Sequence, residues 1–255
     1  MENPDSMVDF YRVSLVLIFV FAAAVFVLLF YISAPYGKFL RKGWGPSIKS
    51  KWAWMVMELL SPALMTFFFI ISEEKNAARI IFISAWLGHY LYRTFIYPFR
   101  QSGRNKPYPL ILVIMAMVFN SLNGFANGVG VFHLKDYGLS WIYSWQFAIG
   151  LVIFITGFAI NKISDEKLRR LRPEGVKDYV IPQGWLFNYV SSPHYFGEIM
   201  EWLGWAIMTW SWAGFAFFVF TFANLFPRGI SSHKWYHSNF PDYPSGRKAI
   251  IPFLI

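Results

Sequence analysis

The sequence contains no cysteine, and only 15% of its 255 residues are charged. The missing cysteines exclude disulfide bonds, thiolate zinc sites and thiol catalysis. A soluble domain of average composition carries about 25% charged residues, so this chain has too little charge to cover a surface that faces water. These scarcities exclude a soluble globule and a disordered chain. A nucleic-acid binder is also excluded, because the net charge of +9 is not gathered on a soluble face.

Long apolar runs are present in place of charge. Hydrophobic residues make up 56% of the chain and aromatic residues 21%. A helix that crosses the hydrocarbon core of a bilayer needs about 20 apolar residues. Runs of that kind occupy 13–33, 52–71, 79–97, 109–132, 142–160 and 196–226. The last run is too long for one upright crossing, so we expect it to break near Trp210–Gly214 and to cross twice.

The Lys and Arg residues fall into alternate loops. All but four of the 23 lie at 35–51, 93–109, 161–183 or beyond 227, the exceptions being Arg12, Lys75, Arg79 and Lys135. Cytoplasmic loops of membrane proteins carry the excess of positive charge. We therefore predict one all-α domain over residues 1–255, an integral membrane protein with seven transmembrane helices, its N-terminus outside and its C-terminus in the cytoplasm.

Ionisable side chains inside the apolar runs are candidates for function, because they are costly in a bilayer. Glu58 lies in the second run, and the third run carries His89, Tyr90 and Arg93. A carboxylate at such a depth needs a nearby cation or hydrogen-bond donor, and a tyrosine hydroxyl can stabilise charge that develops on a carbonyl oxygen. Helix packing and interfacial aromatic residues remain the alternative explanation.

Polar stripes mark three later helices. Asn120, Asn123 and Asn127 share a face that should contact protein or water, for interhelical hydrogen bonding or for ligand binding. The second stripe consists of Asn161, Asp165, Arg169 and Arg172. That face suits an anionic, hydroxyl-rich ligand because arginine binds phosphate, and a basic helix near anionic headgroups is the alternative.

The third stripe combines two carboxylates, Glu198 and Glu201, with Trp202 and Trp205 on one helical face. We expect a ligand or the basic loop to provide the donors that these carboxylates need. His194 has no neighbour at a recognised metal-ligand spacing, so no metal site is expected. Gly128-Val129-Gly130 lacks the third glycine of a dinucleotide fingerprint, so a nucleotide cofactor would not sit in a Rossmann domain.

Ordered motifs from residue 35 to the last residue resemble those of the steroid 5α-reductases, the 3-oxo-5-alpha-steroid 4-dehydrogenase family. The motifs are Glu58, His89-Tyr90, Arg93-Thr94-Phe95, Arg104 to Pro109, Asn161, Ser164-Asp165, Leu171-Arg172-Pro173, Ile181-Pro182-Gln183-Gly184, Phe196-Gly197-Glu198, Glu201-Trp202, Asp242-Tyr243-Pro244, Arg247-Lys248-Ala249 and Ile251-Pro252-Phe253. Several motifs in the family's order are far more specific than any one of them.

The resemblance implies NADPH-dependent reduction of the 4,5 double bond of 3-oxo-4-ene steroids. Carried over by position, Glu58 and Tyr90 would be catalytic and would hold the substrate carbonyl. The residues expected around NADPH, in a cofactor-binding half at 161–255, are Asn161, Asp165, Arg172, Tyr179, His194, Glu198, Glu201, Arg228, Ser232 and Tyr236. A monomer is expected in a bacterial inner membrane or the endoplasmic reticulum, with NADPH bound from the cytoplasmic side and a steroid-like substrate entering from the bilayer.

Three alternatives stay open at this stage. The same fold serves reductases of polyprenol or enoyl-CoA double bonds, and the width of the substrate cavity would separate them from steroid reductases. A membrane prenylcysteine-type methyltransferase would bind S-adenosylmethionine instead of NADPH. A small transporter or lipid-binding protein is the non-catalytic alternative, and the inverted repeats typical of transporters are not found in the sequence.

Overall fold

The computed structural model describes residues 4–172 and 179–255, and helices make up most of that part of the chain. The α-helices are α1 (Pro4–Tyr31), α2 (Ser50–Ile71), α3 (Ala77–Leu91), α4 (Tyr97–Arg100), α5 (Leu110–Val129), α6 (Trp145–Arg170), α7 (Pro193–Thr209) and α8 (Trp212–Asn239). Tyr92–Ile96 and Gly130–Leu134 are π-helical. The all-α class is confirmed. Pro173 and Lys177, which the sequence motifs and the basic loop include, lie outside the described residues.

Two short strands join the loops that precede α2 and α5. Strand β1 (Ser47–Lys49) pairs antiparallel with β2 (Pro107–Pro109), and Ile48 lies opposite Tyr108. The β1 strand leads directly into α2, and β2 leads directly into α5. The pairing therefore ties together the starts of two helices that also pack along each other.

Five described helices are long and apolar enough to cross a membrane. They are Asp5–Tyr31, Ser50–Ile71, Leu110–Leu134, Trp145–Arg170 and Trp212–Asn239. Helix α7 has 17 residues, fewer than the about 20 that an upright crossing takes. Helix α3 continues through the π-helical turn Tyr92–Ile96 into α4 and ends at Arg100, but it is not among these five. Seven spans and their orientation therefore remain a prediction.

The break expected in the last apolar run is confirmed. Helix α7 ends at Thr209, and Trp210 adopts a left-handed backbone conformation with φ of 46°. Helix α8 then begins at Trp212, where the Ser211 side chain accepts a hydrogen bond from the backbone N–H of Gly214 at 3.0 Å. A side chain that caps the free N–H groups of a first turn favours a helix start at that position.

Side-chain caps also explain why two helices begin away from the edges of the apolar runs. Asn76 accepts a hydrogen bond from the backbone N–H of Arg79 at 3.1 Å, which places the start of α3 at Ala77. Ser144 caps α6 in the same way through Phe147 N at 3.2 Å. Helix α6 continues to Arg170, well past the predicted span at 142–160, and so keeps the polar stripe after residue 160 in helical form.

Helices α6 and α7 pack backbone against backbone through four glycines. Gly150 and Gly157 lie on α6, and Gly197 and Gly204 lie on α7. Each pair is spaced by about two helical turns, and a Cβ on any of the four would collide with backbone atoms of the partner helix. Only glycine permits this close approach, which brings the polar stripe of α6 against the carboxylates of α7.

Candidate active site

One guanidinium group joins two of the carboxylates that the sequence analysis identified. Arg93 donates from Nε to Oε1 of Glu58 at 3.3 Å and from Nη1 to Oε2 of Glu198 at 3.4 Å. Glu58 lies on α2 and Glu198 on α7, and the side chain of Glu58 is 11% exposed. Asn120 also lies beside Glu58. The cation that a carboxylate at this depth requires is therefore Arg93, which the sequence placed nearby but did not pair.

The π-helical segment Tyr92–Ile96 carries Arg93 between the two carboxylates. Pro98 has no backbone N–H for the carbonyl of Thr94, and the N–H of Tyr97 bonds to the carbonyl of Tyr92 instead. Single π-helical turns inside α-helices are frequent at functional sites. The cause of the π-helical turn, Pro98, can therefore be found in the sequence. The resulting change in the hydrogen-bond pattern, in which the N–H of Tyr97 bonds to the carbonyl of Tyr92, cannot.

A second carboxylate of α7 meets a histidine of α3. The Nδ1 atom of His89 lies 2.7 Å from Oε1 of Glu201, and both side chains are buried. Glu198, the first carboxylate of α7, also accepts a hydrogen bond from Nδ2 of Asn161 to its Oε2 at 3.2 Å. Helices provide donors to Glu198, namely Arg93 and Asn161. Oε2 of Glu201 has no hydrogen-bond partner within the described residues, so donors from a ligand or the basic loop stay a prediction.

Tyr90 lies in an aromatic environment between α3 and α7. Its side chain is 3% exposed. Its ring stacks on Trp86, with centroids 5.1 Å apart, and lies 5.9 Å from the ring of Trp202. The Glu58 carboxylate is close enough to interact electrostatically with the Tyr90 hydroxyl. The fold thus brings the two predicted catalytic residues into the same buried region.

A cavity of about 210 Å³ adjoins this region on the side of α6. Six of the ten residues predicted to surround a cofactor line it: Asn161, Asp165, Arg172, His194, Glu198 and Arg228. Arg93 lines it as well. Two buried polar atoms of these residues, Asn161 Oδ1 and His194 Nδ1, have no hydrogen-bond partner in the described part of the chain. Such atoms can bind the hydroxyl groups of a ligand.

Arg228 contributes positive charge to the cavity. Its guanidinium group contacts the hydroxyl of Tyr36, donates to the hydroxyl of Tyr195 at 3.1 Å and to Oδ1 of Asn224 at 3.4 Å. The same group lies over the rings of Tyr36 and Tyr195. All three partners are neutral, so this guanidinium group can bind an anion, for which arginine has the matching donor geometry.

Lys38 is a site residue that the sequence analysis missed. Its Nζ atom lies 2.6 Å from Oγ of Ser232, 4.6 Å from the ring centre of Trp235 and 4.5 Å from that of Tyr236. Burial, with a smaller contribution from the nearby charge of Arg172, lowers the pKa of Lys38 to about 7. The sequence indicated only that Lys38 lies in a basic loop. Its contacts could not be predicted, because its partners lie almost 200 residues away in the chain.

The remaining four predicted cofactor residues lie in three places. Ser232 and Tyr236 contact Lys38, and the ring of Tyr179 lies 4.1 Å from the guanidinium carbon of Arg172. Glu201 does not line the cavity and pairs with His89. Within the described residues, no group of three or more His, Asp and Glu side chains could hold a metal ion.

The asparagine stripe of α5 contacts protein, as predicted. Asn120 donates to the backbone carbonyl of Met57 at 2.6 Å. Asn127 donates to Oδ1 of Asn123 at 2.9 Å and accepts from Nε1 of Trp205 at 2.9 Å. Of the two explanations that the sequence left open, interhelical hydrogen bonding fits these contacts.

Comparisons with known proteins agree on one family. A family model described as 3-oxo-5-alpha-steroid 4-dehydrogenase matches residues 106–255. The chain is 44% identical to steroid 5-alpha-reductase DET2 of Arabidopsis thaliana, over 96% of this chain and 97% of that protein. It is 38% identical to 3-oxo-5-alpha-steroid 4-dehydrogenase 1 of Bos taurus, over 90% and 91%. Identity to the Homo sapiens protein of the same name is 39%, over 87% and 86%.

Proposed function

The chain belongs to the 3-oxo-5-alpha-steroid 4-dehydrogenase family, and from that premise we propose that it reduces the 4,5 double bond of 3-oxo-4-ene steroids with NADPH. Its relatives are named for steroid 5-alpha reduction, an oxidation–reduction at a CH–CH bond. The observation that carries the proposal for this chain is the buried Tyr90 beside Glu58, next to a cavity lined by arginine side chains.

The substrate end of the proposed site consists of Tyr90 and Glu58. The Tyr90 hydroxyl donates a hydrogen bond to the 3-oxo oxygen and stabilises the negative charge that develops there. Glu58, held by Arg93, orients that hydroxyl. The rings of Trp86 and Trp202 around Tyr90 exclude water from the reacting atoms, which strengthens the interaction in the transition state.

The cofactor end consists of the cavity and the adjoining Lys38 cluster. NADPH, when bound, supplies the hydride to the β-carbon of the enone. Arg172 and Arg228 bind its phosphates, while Asn161 Oδ1 and Asp165 accept hydrogen bonds from its hydroxyl groups. The fit rests on the neutral partners of Arg228 and on the free Asn161 Oδ1. Of the reductase substrates that the sequence left open, steroids are favoured by the names of the relatives.

Steroid-dependent oxidation of NADPH by the purified full-length protein in detergent tests the proposal. Testosterone and progesterone are the first substrates, and the loss of nicotinamide absorbance is followed together with the mass of the product. We expect a product heavier by the mass of one H₂ that co-elutes with a 5α standard. NADPH binding without any steroid reduction, but with reduction of a polyprenol or an enoyl-CoA, would contradict the substrate. A protein that does not bind NADPH would contradict the whole proposal.

A further inference from the structure

The proposed reaction consumes one proton as well as one hydride in each turnover, and its site is buried. The hydride adds to the β-carbon, and the resulting enolate takes a proton to become the saturated ketone. Tyr90, the group placed at the enolate oxygen, is 3% exposed and enclosed by tryptophan rings. A tyrosine that gives its proton away in such a place must be recharged through other buried groups. The following inference rests on the proposed function.

The buried charges around Tyr90 favour the uptake of protons. Four carboxylates, from Glu58, Asp165, Glu198 and Glu201, face two cationic side chains, Arg93 and Lys162. A buried cluster with an uncompensated charge is strongly destabilised. Added protons reduce the excess negative charge, and the short contact of His89 with Glu201, 2.7 Å from Nδ1 to Oε1, is a place where a histidine and a carboxylate share one.

Arg93 cannot bring that proton from the cavity. It lies between Glu58 and Glu198, and Glu198 lines the cavity. A guanidinium group is not deprotonated in proteins, so it holds charges in place without passing protons between them. A proton must therefore reach Tyr90 along a different row of side chains.

Lys162 and Glu201 form the start of such a row. Nζ of Lys162 and Oε2 of Glu201 are both buried, and neither has a hydrogen-bond partner within the described residues. The two groups interact electrostatically across the glycine-lined contact of α6 with α7. Lys162 also lines a second cavity, of about 570 Å³, together with Glu166, Lys167, Arg170 and Gln183 from the polar end of α6 and the loop beyond it.

His89 and Tyr90 form the end of the row. Their ring centroids are 5.0 Å apart, and His89 also contacts the ring of Trp202 at 4.8 Å. The charged groups that face the row are Glu58 from α2, Arg93 from the π-helical segment, Asp165 from α6 and Glu198 from α7. These contacts place the His89–Glu201 pair between the cavity at Lys162 and the ring of Tyr90.

We propose that His89 and Glu201 hold the proton that the reduction consumes, pass it to Tyr90, and receive the next one through Lys162. In this step the O–H bond of Tyr90 breaks as its proton moves to the enolate oxygen, and the resulting enol becomes the ketone without further uptake. A proton from a His89 nitrogen then restores the hydroxyl of Tyr90. Lys162 gives a proton to the His89–Glu201 pair and takes one from water, so that one proton enters for each hydride transferred.

Glu201→Gln and Lys162→Met test the row by different measurements. Glutamine keeps the size of Glu201 and an acceptor for His89 but cannot take up a proton, so we expect kcat to fall about 10²-fold, with unchanged NADPH affinity. In the parental protein kcat should change with pH as the His89–Glu201 pair loses its shared proton. In Glu201→Gln this pH dependence should disappear, and the solvent deuterium isotope effect on kcat should increase. Lys162→Met should leave the first turnover at the parental rate and slow only the later ones, because one proton is already stored.

The control is Thr209→Val, which removes a buried hydroxyl from the same helix α7, where Thr209 donates to the carbonyl of Trp205 at 2.8 Å. This variant should keep the parental kcat, pH profile and isotope effect. An active Glu201→Gln protein with the parental kcat and isotope effect, or a Lys162→Met protein whose later turnovers are as fast as the first, would overturn the row. A parental protein that reduces no steroid would instead overturn the proposed function, and the row with it.

Discussion

Glu58 and Arg93 belong to different helical segments and meet inside the bundle, with the Nε atom of Arg93 3.3 Å from Oε1 of Glu58. The contact places a permanent cation beside the carboxylate proposed to orient Tyr90. Because Arg93 also contacts Glu198 on α7, one side chain connects the proposed substrate end of the site with the proposed cofactor end.

Removal of this guanidinium group should destabilise the fold. In Arg93→Met two buried carboxylates lose their cation, and breaking a buried ion pair from one side costs about 3–5 kcal/mol. Thermal unfolding in detergent, followed by tryptophan fluorescence, measures the change. The control is Arg12→Met, which removes an ion pair to Asp9 whose side chains are 72% and 71% exposed. An equal, small shift for both variants would show that Arg93 does not stabilise the bundle.

Conservative changes of the proposed catalytic residues should abolish most of the activity without unfolding the protein. Tyr90→Phe removes one hydrogen-bond donor from the developing oxyanion, a loss that typically lowers kcat about 10²–10³-fold. We expect Glu58→Gln to lower kcat as well. Steady-state assays with saturating NADPH measure both, and Tyr143→Phe, at a tyrosine that is 84% exposed, is the control. Parental kcat in a folded Tyr90→Phe protein would rule out the proposed role of the hydroxyl.

The close contact of α6 with α7 should tolerate no additional methyl group. In Gly157→Ala the new Cβ would collide with backbone atoms of Gly197 and Glu201, and overpacking of this kind costs about 1–3 kcal/mol. The same shift would displace Asn161 and weaken NADPH binding. Gly88→Ala, on α3 with open space at its Cβ position, is the matched control and should be neutral or slightly stabilising. Equal stability of the two variants would contradict the packing.

NADPH affinity should weaken as the pH rises above neutrality. Burial lowers the pKa of Lys38 to about 7, so its amine is cationic below that pH and becomes neutral above it. A phosphate bound nearby favours the cationic form, and by linkage the Kd should rise by up to about tenfold for each pH unit above 7. Titrations of NADPH at several pH values measure this, with Lys38→Met predicted to remove the dependence. Lys42→Met, at an exposed position of the same loop, should retain it.

Local signals were sufficient for much of the fold. The length of the last apolar run predicted the break at Trp210, and the spacing of Asn120, Asn123 and Asn127 predicted a face that contacts protein. Helix caps such as Asn76 moved the boundaries by only a few residues, because one hydrogen bond decides where a helix starts. Whether α3 and α7 cross the membrane could not be deduced from hydropathy alone, since aromatic residues suit a buried helix and a membrane span equally well.

Long-range pairing limited the prediction of the site. Sequence spacing placed Glu58, Arg93 and Glu198 on helices, but which helix faces which depends on tertiary packing. Lys38 lies in a loop with four other cations, and nothing in its local sequence distinguishes it as the one that contacts Ser232. The four glycines of α6 and α7 gave no signal before the structure showed that they face one another.

Transfer of deuterium from NADPH to the steroid tests the proposed hydride transfer. The full-length protein is incubated in ordinary water with a 3-oxo-4-ene steroid and NADPH deuterated at the transferable position of the nicotinamide ring. The product is then examined by mass spectrometry and NMR. We expect one deuterium at carbon 5 of a 5α product and only solvent hydrogen added at carbon 4. An unreduced steroid, or a reduced product whose added hydrogens both come from solvent, would contradict this expectation.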